Sequence, residues 1–475
     1  MIHSVMINLT LCDFLFQIHF ICKNNIMDLS KISKKLIKFI ENLYFMNCHG
    51  SYKINNILYD FFSENYNDIS KNITFTKKII ELNDKINILD KLRKNKNIPI
   101  NFRNILEKHR INKIKKNELI EWFDNNRYSI IHKIEDNYNC SKLSGLINNF
   151  ISMEILLEVD KLNKSTKFVY NYENNNLILE FISDNDISET MTKRLATKAF
   201  LLMKIKNLEN VKLKTKIWMT NSKKTLKNKY NKLEIKLGIR EVNSGCSKFK
   251  KLNDTGKIFI WRTEELEKVF VHELIHSLNM SFLVYPKKFT EDFHKMYHVP
   301  KNNSIFVCET YVEIWACIIN CILVSYLHKN KNFNELLEKE IKFSMFQFSK
   351  ILLFFGFDCL DKCNNSFKKK IDDLKINRNF NQKTSVFSYY FIKSALLFNL
   401  EKFIKFCLGN ENLIQFNKNN FKKFHDLIVL SLNNENFIKN INTTINKIKI
   451  LKKNNEKQDI FQLSTLRMTL SELNF

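Results

Sequence analysis

The stretch Val271-His272-Glu273-Leu274-Ile275-His276 sets two imidazoles and a carboxylate at a spacing that can do chemistry. On an α-helix, residues four apart share a face, so His272 and His276 can hold one cation between them. Glu273 follows the first histidine and can reach a water polarised by that cation and take its proton. A catalytic zinc needs a third protein ligand and keeps a fourth position open. No histidine stands at HExxHxxGxxH spacing, because Met280 and Ser281 occupy that region and the next histidine is His294. The better candidate is Glu309, with Glu313 four residues on, in a helix that continues through Ile318, Ile319, Leu323 and Leu327. Two carboxylates on an apolar helix are costly unless a cation or hydrogen-bond donors meet them. Glu309 as ligand and Glu313 as acceptor from a ligating histidine would meet that need.

The helix that positions the histidines has its own signals. Thr263 is placed to act as N-cap, with Glu264 and Glu265 in the first turn, where carboxylates favour the positive helix end. Leu266, Phe270, Leu274 and Leu278 give the segment a face to bury. Asn279 stands where a left-handed residue would end it. Upstream, Lys167–Tyr172 and Leu177–Ile182 flank Glu173-Asn174-Asn175-Asn176, which predicts a hairpin. A helix through Leu195, Phe200 and Ile205 follows, then strand-like pieces at Lys216–Met219, Leu233–Lys236 and Lys257–Trp261. Thr384 to Leu400 reads as one helix.

HExxH followed by a downstream helix with two acids at ExxxE spacing resembles the gluzincin class of zinc metallopeptidases. Four blocks are similar to predicted metallopeptidases of nucleocytoplasmic large DNA viruses. They are Val242-Asn243-Ser244-Gly245, Ile260–Glu265 running into Lys268–Glu273, Glu309–Ala316, and Thr384–Tyr390. The likeness covers roughly residues 165 to 400; it departs at Glu241, where the pattern has His, and at Asn279-Met280-Ser281. It implies an α+β, predominantly helical fold with a zincin-like core: a small mixed sheet plus the HExxH helix. It implies one catalytic Zn²⁺ on His272, His276 and Glu309, with Glu273 as general base and Glu313 orienting a histidine. It picks out Tyr389 and Tyr390 as donors to the oxyanion, with Tyr311, His294, Tyr297 and His298 as rivals. An edge strand, for which residues 242 to 246 are the candidate, would pair with extended substrate. The expected activity is a zinc endopeptidase acting on protein or peptide, of viral origin. Two rivals from other classes are an inactive protein in which zinc only ties helices together, and a basic nucleic-acid-associated virion protein.

Composition bounds these expectations. The 475 residues are 44% hydrophobic and 13% aromatic, enough for a large core, and 7 Gly and 3 Pro lean the chain toward helix. The expected organisation is an extension at 1–26, helices at 27–160, a mixed upper lobe with a substrate-facing sheet at 161–262, zinc-binding helices at 263–330, and a helical lower lobe with a C-terminal tail at 331–475. Residues 1–26 make a poor signal peptide and a poor membrane span, so translation is expected to begin at Met27. The apolar run Ile314–Leu327 reads as a core helix and no membrane association is expected. Eleven irregularly spaced cysteines predict reduced thiols in an intracellular compartment, host cytoplasm or virion. A net charge of +27 predicts non-specific polyanion binding, while lysines scattered along the chain argue against a dedicated nucleic-acid site.

Overall fold

The computed structural model describes residues 29–42, 52–81, 89, 92–93, 100–111, 113, 115–134, 150–226, 236–248, 256–297, 299–301, 303–328, 332–360, 368–371, 376–409, 412–453 and 460–473. The expectations for residues 1–26, for Leu233–Ile235 and for His298 fall outside them.

The fold is α+β and mainly helical, with one mixed six-stranded sheet in the order β1-β2-β3-β4-β6-β5. Helices α1 (Lys31–Asn42) and α2 (Tyr52–Asn72) lead into β1 (Thr74–Glu81); α3 (Ile100–Arg110), α4 (Lys116–Ile134) and α5 (Met153–Val159) follow. Strands β2 (Lys164–Tyr172) and β3 (Asn175–Ser183) form the hairpin that the alternation of Phe168, Tyr170, Leu177 and Leu179 requires. Its loop is two residues, Glu173 and Asn174, with φ 50° at Glu173 suiting the twist of the paired strands. Helix α6 (Glu189–Ile205) crosses over to β4 (Lys212–Trp218), parallel to β3. Strand β6 (Gly256–Ile260) extends the sheet in parallel, and β5 (Gly245–Lys248) lies antiparallel to it at the edge.

Helix α7 (Leu266–Ser277) packs on the apolar face of the sheet, against β5, β6 and α6. After α8 (Lys287–Tyr297), the long helix α9 (Val307–Leu327) runs beside α7, and α10 (Phe333–Phe355) packs on α9. A short hairpin, β7 (Lys368–Ile371) and β8 (Ile376–Asn379), precedes a π-helical segment at Phe387–Ile392. Helices α11 (Lys393–Phe398), α12 (Leu400–Leu408), α13 (Phe421–Leu432), α14 (Glu435–Lys453) and α15 (Ile460–Ser464) complete the order.

Several expectations change. The N-terminal region is not all helix: β1 pairs with β2 from Thr74↔Asn171 to Glu81↔Lys164. Its exposed Phe75, Ile79 and Ile80 give it no clean inside–outside alternation, which is why the sequence did not mark it. The helix expected over 384–400 is a π-segment, α11 and a break at Asn399 before α12. Helix α9 is longer than its most apolar run and has the length and apolarity of a membrane span, yet 94% of that window is buried inside the protein. The lower lobe, expected helical, holds the β7–β8 hairpin. The expected tail is no appendage either: Thr465 to Leu473 is buried throughout, between α7, α9 and α10.

The last change explains another. Helix α7 begins after Glu265 rather than after Thr263, with Glu265 at φ 60° in the left-handed region. The Glu265 carboxylate accepts from the Met468 and Thr469 backbone N–H groups at 2.6 and 2.5 Å and from Lys224 Nζ at 2.7 Å. That buried cluster pulls the residue out of helical geometry, and the Thr263 hydroxyl donates instead to Thr220 O at 2.9 Å. At the other end Asn279 takes φ 53°, with Met280 N–H on Ile275 O and Asn279 N–H on His276 O. This is a Schellman closure, and it satisfies the last carbonyls of α7.

Candidate functional site

Helix α7 aligns His272 and His276 on one face, and α9 presents Glu309 to both. His272 Nε2 lies 3.1 Å and His276 Nε2 3.3 Å from Glu309 Oε2. One donor atom from each residue falls within 4.8 Å of the other two. Two imidazole nitrogens and one carboxylate oxygen are a donor set suited to zinc, with a fourth direction left for solvent or substrate. Burial pushes His272 down, but hydrogen bonds to Glu309 and Glu313 outweigh it and lift its pKa to about 9. Positive charge is therefore favoured at this point. Burial also works against the charge of Glu309, but the two histidines hold its carboxyl well below the usual range.

His272 is held from behind. Its Nδ1 donates to Glu313 Oε2 at 2.9 Å, which leaves Nε2 for the Glu309 side. The other Glu313 oxygen is ion-paired to Lys268 and lies 3.6 Å from Lys393 Nζ; all three side chains are almost fully buried. Lys393 also donates to Met468 O at 2.8 Å, so the buried 465–473 segment reaches the support of His272. On the other histidine, Ser281 Oγ lies 3.5 Å from His276 Nδ1.

Glu273 faces the sheet edge. A Cβ on Gly245 would sit 3.0 Å from Glu273 Oε1 and 3.1 Å from its Cγ and from Phe259 O, so a larger residue there would push on Glu273 by a few tenths of an ångström. Ser247, two residues along β5, hydrogen-bonds the same carboxylate. Burial raises the Glu273 pKa, and the two histidines pull it partly back. A carboxyl tuned upward beside a cation site can both take and return a proton.

The Tyr389–Tyr390 pair divides. Tyr389 OH donates to Glu309 Oε2 at 2.8 Å, and its ring centroid is 6.0 Å from that of His272. Tyr390 OH donates to Leu466 O at 2.6 Å and is structural. Widened π-helical winding at Phe387–Ile392 carries both. Among the rivals, Tyr311 donates to Ile414 O, His294 Nδ1 lies 2.9 Å from Val299 O, and Tyr297 packs between Phe387 and Phe391. The edge strand begins at Gly245, three residues later than expected, and Val242 ends a short helical turn closed by Glu241 on Gly238 N–H.

The four sequence blocks form a ring of contacts. Asn243 O accepts from Trp261 Nε1 and Arg262 Nε; Thr384 Oγ1 donates to Asn243 Oδ1; Thr310 Oγ1 donates to Ser388 O; and His272 closes on Glu309 and Glu313. The sequence reading gave no role to Gly245, Ser247, Lys268 or Lys393, although Gly245 and Lys268 stand in two of its four blocks. Lys268 left a signal of its own, a charge one helical turn before His272 at the edge of the apolar stretch Val269–Val271. No family model, curated protein or solved structure matches the chain.

Proposed function

We propose that the chain is a zinc-dependent metallopeptidase with a zincin-like core, in which His272, His276 and Glu309 hold the ion. The observation that carries this reading is the convergence of these three donors, beside which Glu273, next to His272 in the chain, packs against Gly245 of the edge strand. Zinc supplies a Lewis acid that polarises a carbonyl and makes a water more acidic.

The chain's own residues do the rest. Glu273 takes the proton of the attacking water and returns it to the leaving amine. Glu313 holds the His272 tautomer with Nε2 facing the ion. Tyr389, already aimed at Glu309, turns its hydroxyl to the developing oxyanion. Strand β5 offers its free edge to an extended peptide, with Gly245 and Ser247 keeping that peptide beside Glu273.

The test pairs metal analysis with peptide-library cleavage. Wild type is expected to hold one zinc per chain and cleave, and His276→Ala to lose both. Glu273→Gln is expected to keep zinc and lose cleavage by a factor on the order of 10³ or more. Equal cleavage by wild type and Glu273→Gln would remove Glu273 as the base. Stoichiometric zinc without cleavage of any peptide would leave a structural site.

A further inference from the structure

Lysines that look scattered along the chain are gathered by the sheet. The strand registers place Lys214, Lys257 and Lys248 side by side across β4, β6 and β5. The neighbouring row runs Lys78, Lys167, Glu180 and Lys216 across β1 to β4, and Lys212 stands two residues before Lys214. All lie on the face turned away from α7; the opposite face carries Phe168, Leu179 and Ile258, and on the lysine face itself Ile182, Trp218 and Phe259 are buried against residues of α3, α4 and α5, which leaves the lysines beyond them open. Among the described residues this face carries these seven lysines and a single acid, Glu180. Lys78, Lys212, Lys214, Lys248 and Lys257 are exposed.

This arrangement is costly. Like charges directly opposite across strands repel, and Lys78/Lys167, Lys214/Lys257 and Lys257/Lys248 are such pairs. Glu180 offsets part of the charge, 3.6 Å from Lys214 and 3.4 Å from Lys216. No carboxylate among the described residues pairs with Lys248 or Lys257. Local rules broken without internal compensation mark surfaces that meet a partner.

We infer that this face docks an acidic, extended stretch of polypeptide and feeds it to the β5 edge. The inference rests on the peptidase reading for its purpose, though not for its geometry. Neighbouring strands lie about 4.8 Å apart, so Lys214, Lys257 and Lys248 span roughly 10 Å across β4, β6 and β5, a distance that an acidic stretch crossing the strands in extended form covers in about three residues. The row ends at Lys248 on the edge strand, and Ser247, the residue before it, lies on the other face toward Glu273. An acidic stretch that passes round the β5 edge therefore leads from the lysines to the candidate site. Every cation on the face is lysine; the forked guanidinium that grips phosphate bidentately is missing among the described residues, as is an exposed aromatic on which bases would stack.

The test measures binding of a fluorescent Glu-rich peptide, its Gln-for-Glu analogue and a short DNA duplex at one fixed salt concentration. The proteins are wild type, Lys214→Glu/Lys248→Glu/Lys257→Glu, and a control of equal charge change, Lys402→Glu/Lys418→Glu/Lys423→Glu. The sheet variant is expected to lose affinity for the Glu-rich peptide by on the order of tenfold or more, the control by less than about twofold. The sheet variant should melt slightly lower than wild type, since the three glutamates still oppose one another across the strands and the Lys214–Glu180 pair is lost, so far-UV circular dichroism is compared to show that the fold is kept. Equal loss in both variants, or none, overturns the inference. So does a duplex that binds tighter than the Glu-rich peptide and loses as much in the sheet variant. Docking loss without cleavage of any peptide would sink the peptidase reading alone; cleavage with KM for the Glu-rich peptide unchanged in the sheet variant would sink the docking inference alone.

Discussion

From Glu265 to His272, around the start of α7, each ionisable side chain meets buried charge of opposite sign; at its end, backbone hydrogen bonds close the helix. Glu265 pairs with Lys224, Glu267 with Arg194 and Lys198, and Lys268 with Glu313, which in turn takes His272. His276 sits in the half closed by the Schellman hydrogen bonds of Asn279 and Met280. His272 is thus oriented by a chain of charges that reaches the buried 465–473 segment. His276 meets Glu309 at 3.3 Å and stands one turn from the end of α7. Substitutions behind His272 should therefore spread into stability as well as metal affinity, and Ser281→Ala should not.

Glu313→Ala tests this most severely. It strands Lys268 and Lys393 as buried unpaired charges, which costs roughly 3–5 kcal/mol in chemical unfolding. Zinc affinity measured by chelator competition should fall about 10–100-fold. An affinity loss no larger than that of Ser281→Ala would erase the contrast between the two histidines.

Acid should undo the N-terminal half. Burial pushes the Glu267 carboxyl up, but Lys198 and Arg194 outweigh it and hold its pKa at about 2, below the ordinary 4.5. A depressed carboxylate pKa stabilises fully above the ordinary value and loses that contribution as pH falls toward the folded one. The contribution is on the order of 3 kcal/mol. The stability gap between wild type and Glu267→Gln should accordingly narrow as pH drops from 4.5 toward 2. A gap independent of pH would contradict an ionised, paired Glu267.

Lys393→Met should be milder, because Lys268 still holds Glu313. About 1–3 kcal/mol of stability is expected to go with the hydrogen bond to Met468 O, and zinc affinity by roughly tenfold or less. Ser281→Ala is the smallest change, with affinity within about twofold and stability within about 0.5 kcal/mol of wild type. A loss above tenfold there would show that the loop orients His276 after all.

The HExxH spacing, the ExxxE spacing and the hairpin are short-range patterns, and each could be read because residues four apart share a helix face and residues two apart share a strand face. Those periodicities put His272 and His276 together on α7, and Glu309 and Glu313 on one side of α9. They could not say that Glu309 reaches both histidines across 309 − 276 = 33 positions, since that depends on how α9 lies against α7. Nor could they separate Tyr389 from Tyr390, because π-helical winding sets which neighbour turns toward the site. Strand β1 was hidden by its exposed apolar residues, and Thr465–Leu473 by being a short segment whose partners lie far away in the chain. The lysine face shows the same limit most plainly. Residues from five strands become neighbours only through strand order and register, so a charge pattern that looks random along the chain is an ordered one on the sheet.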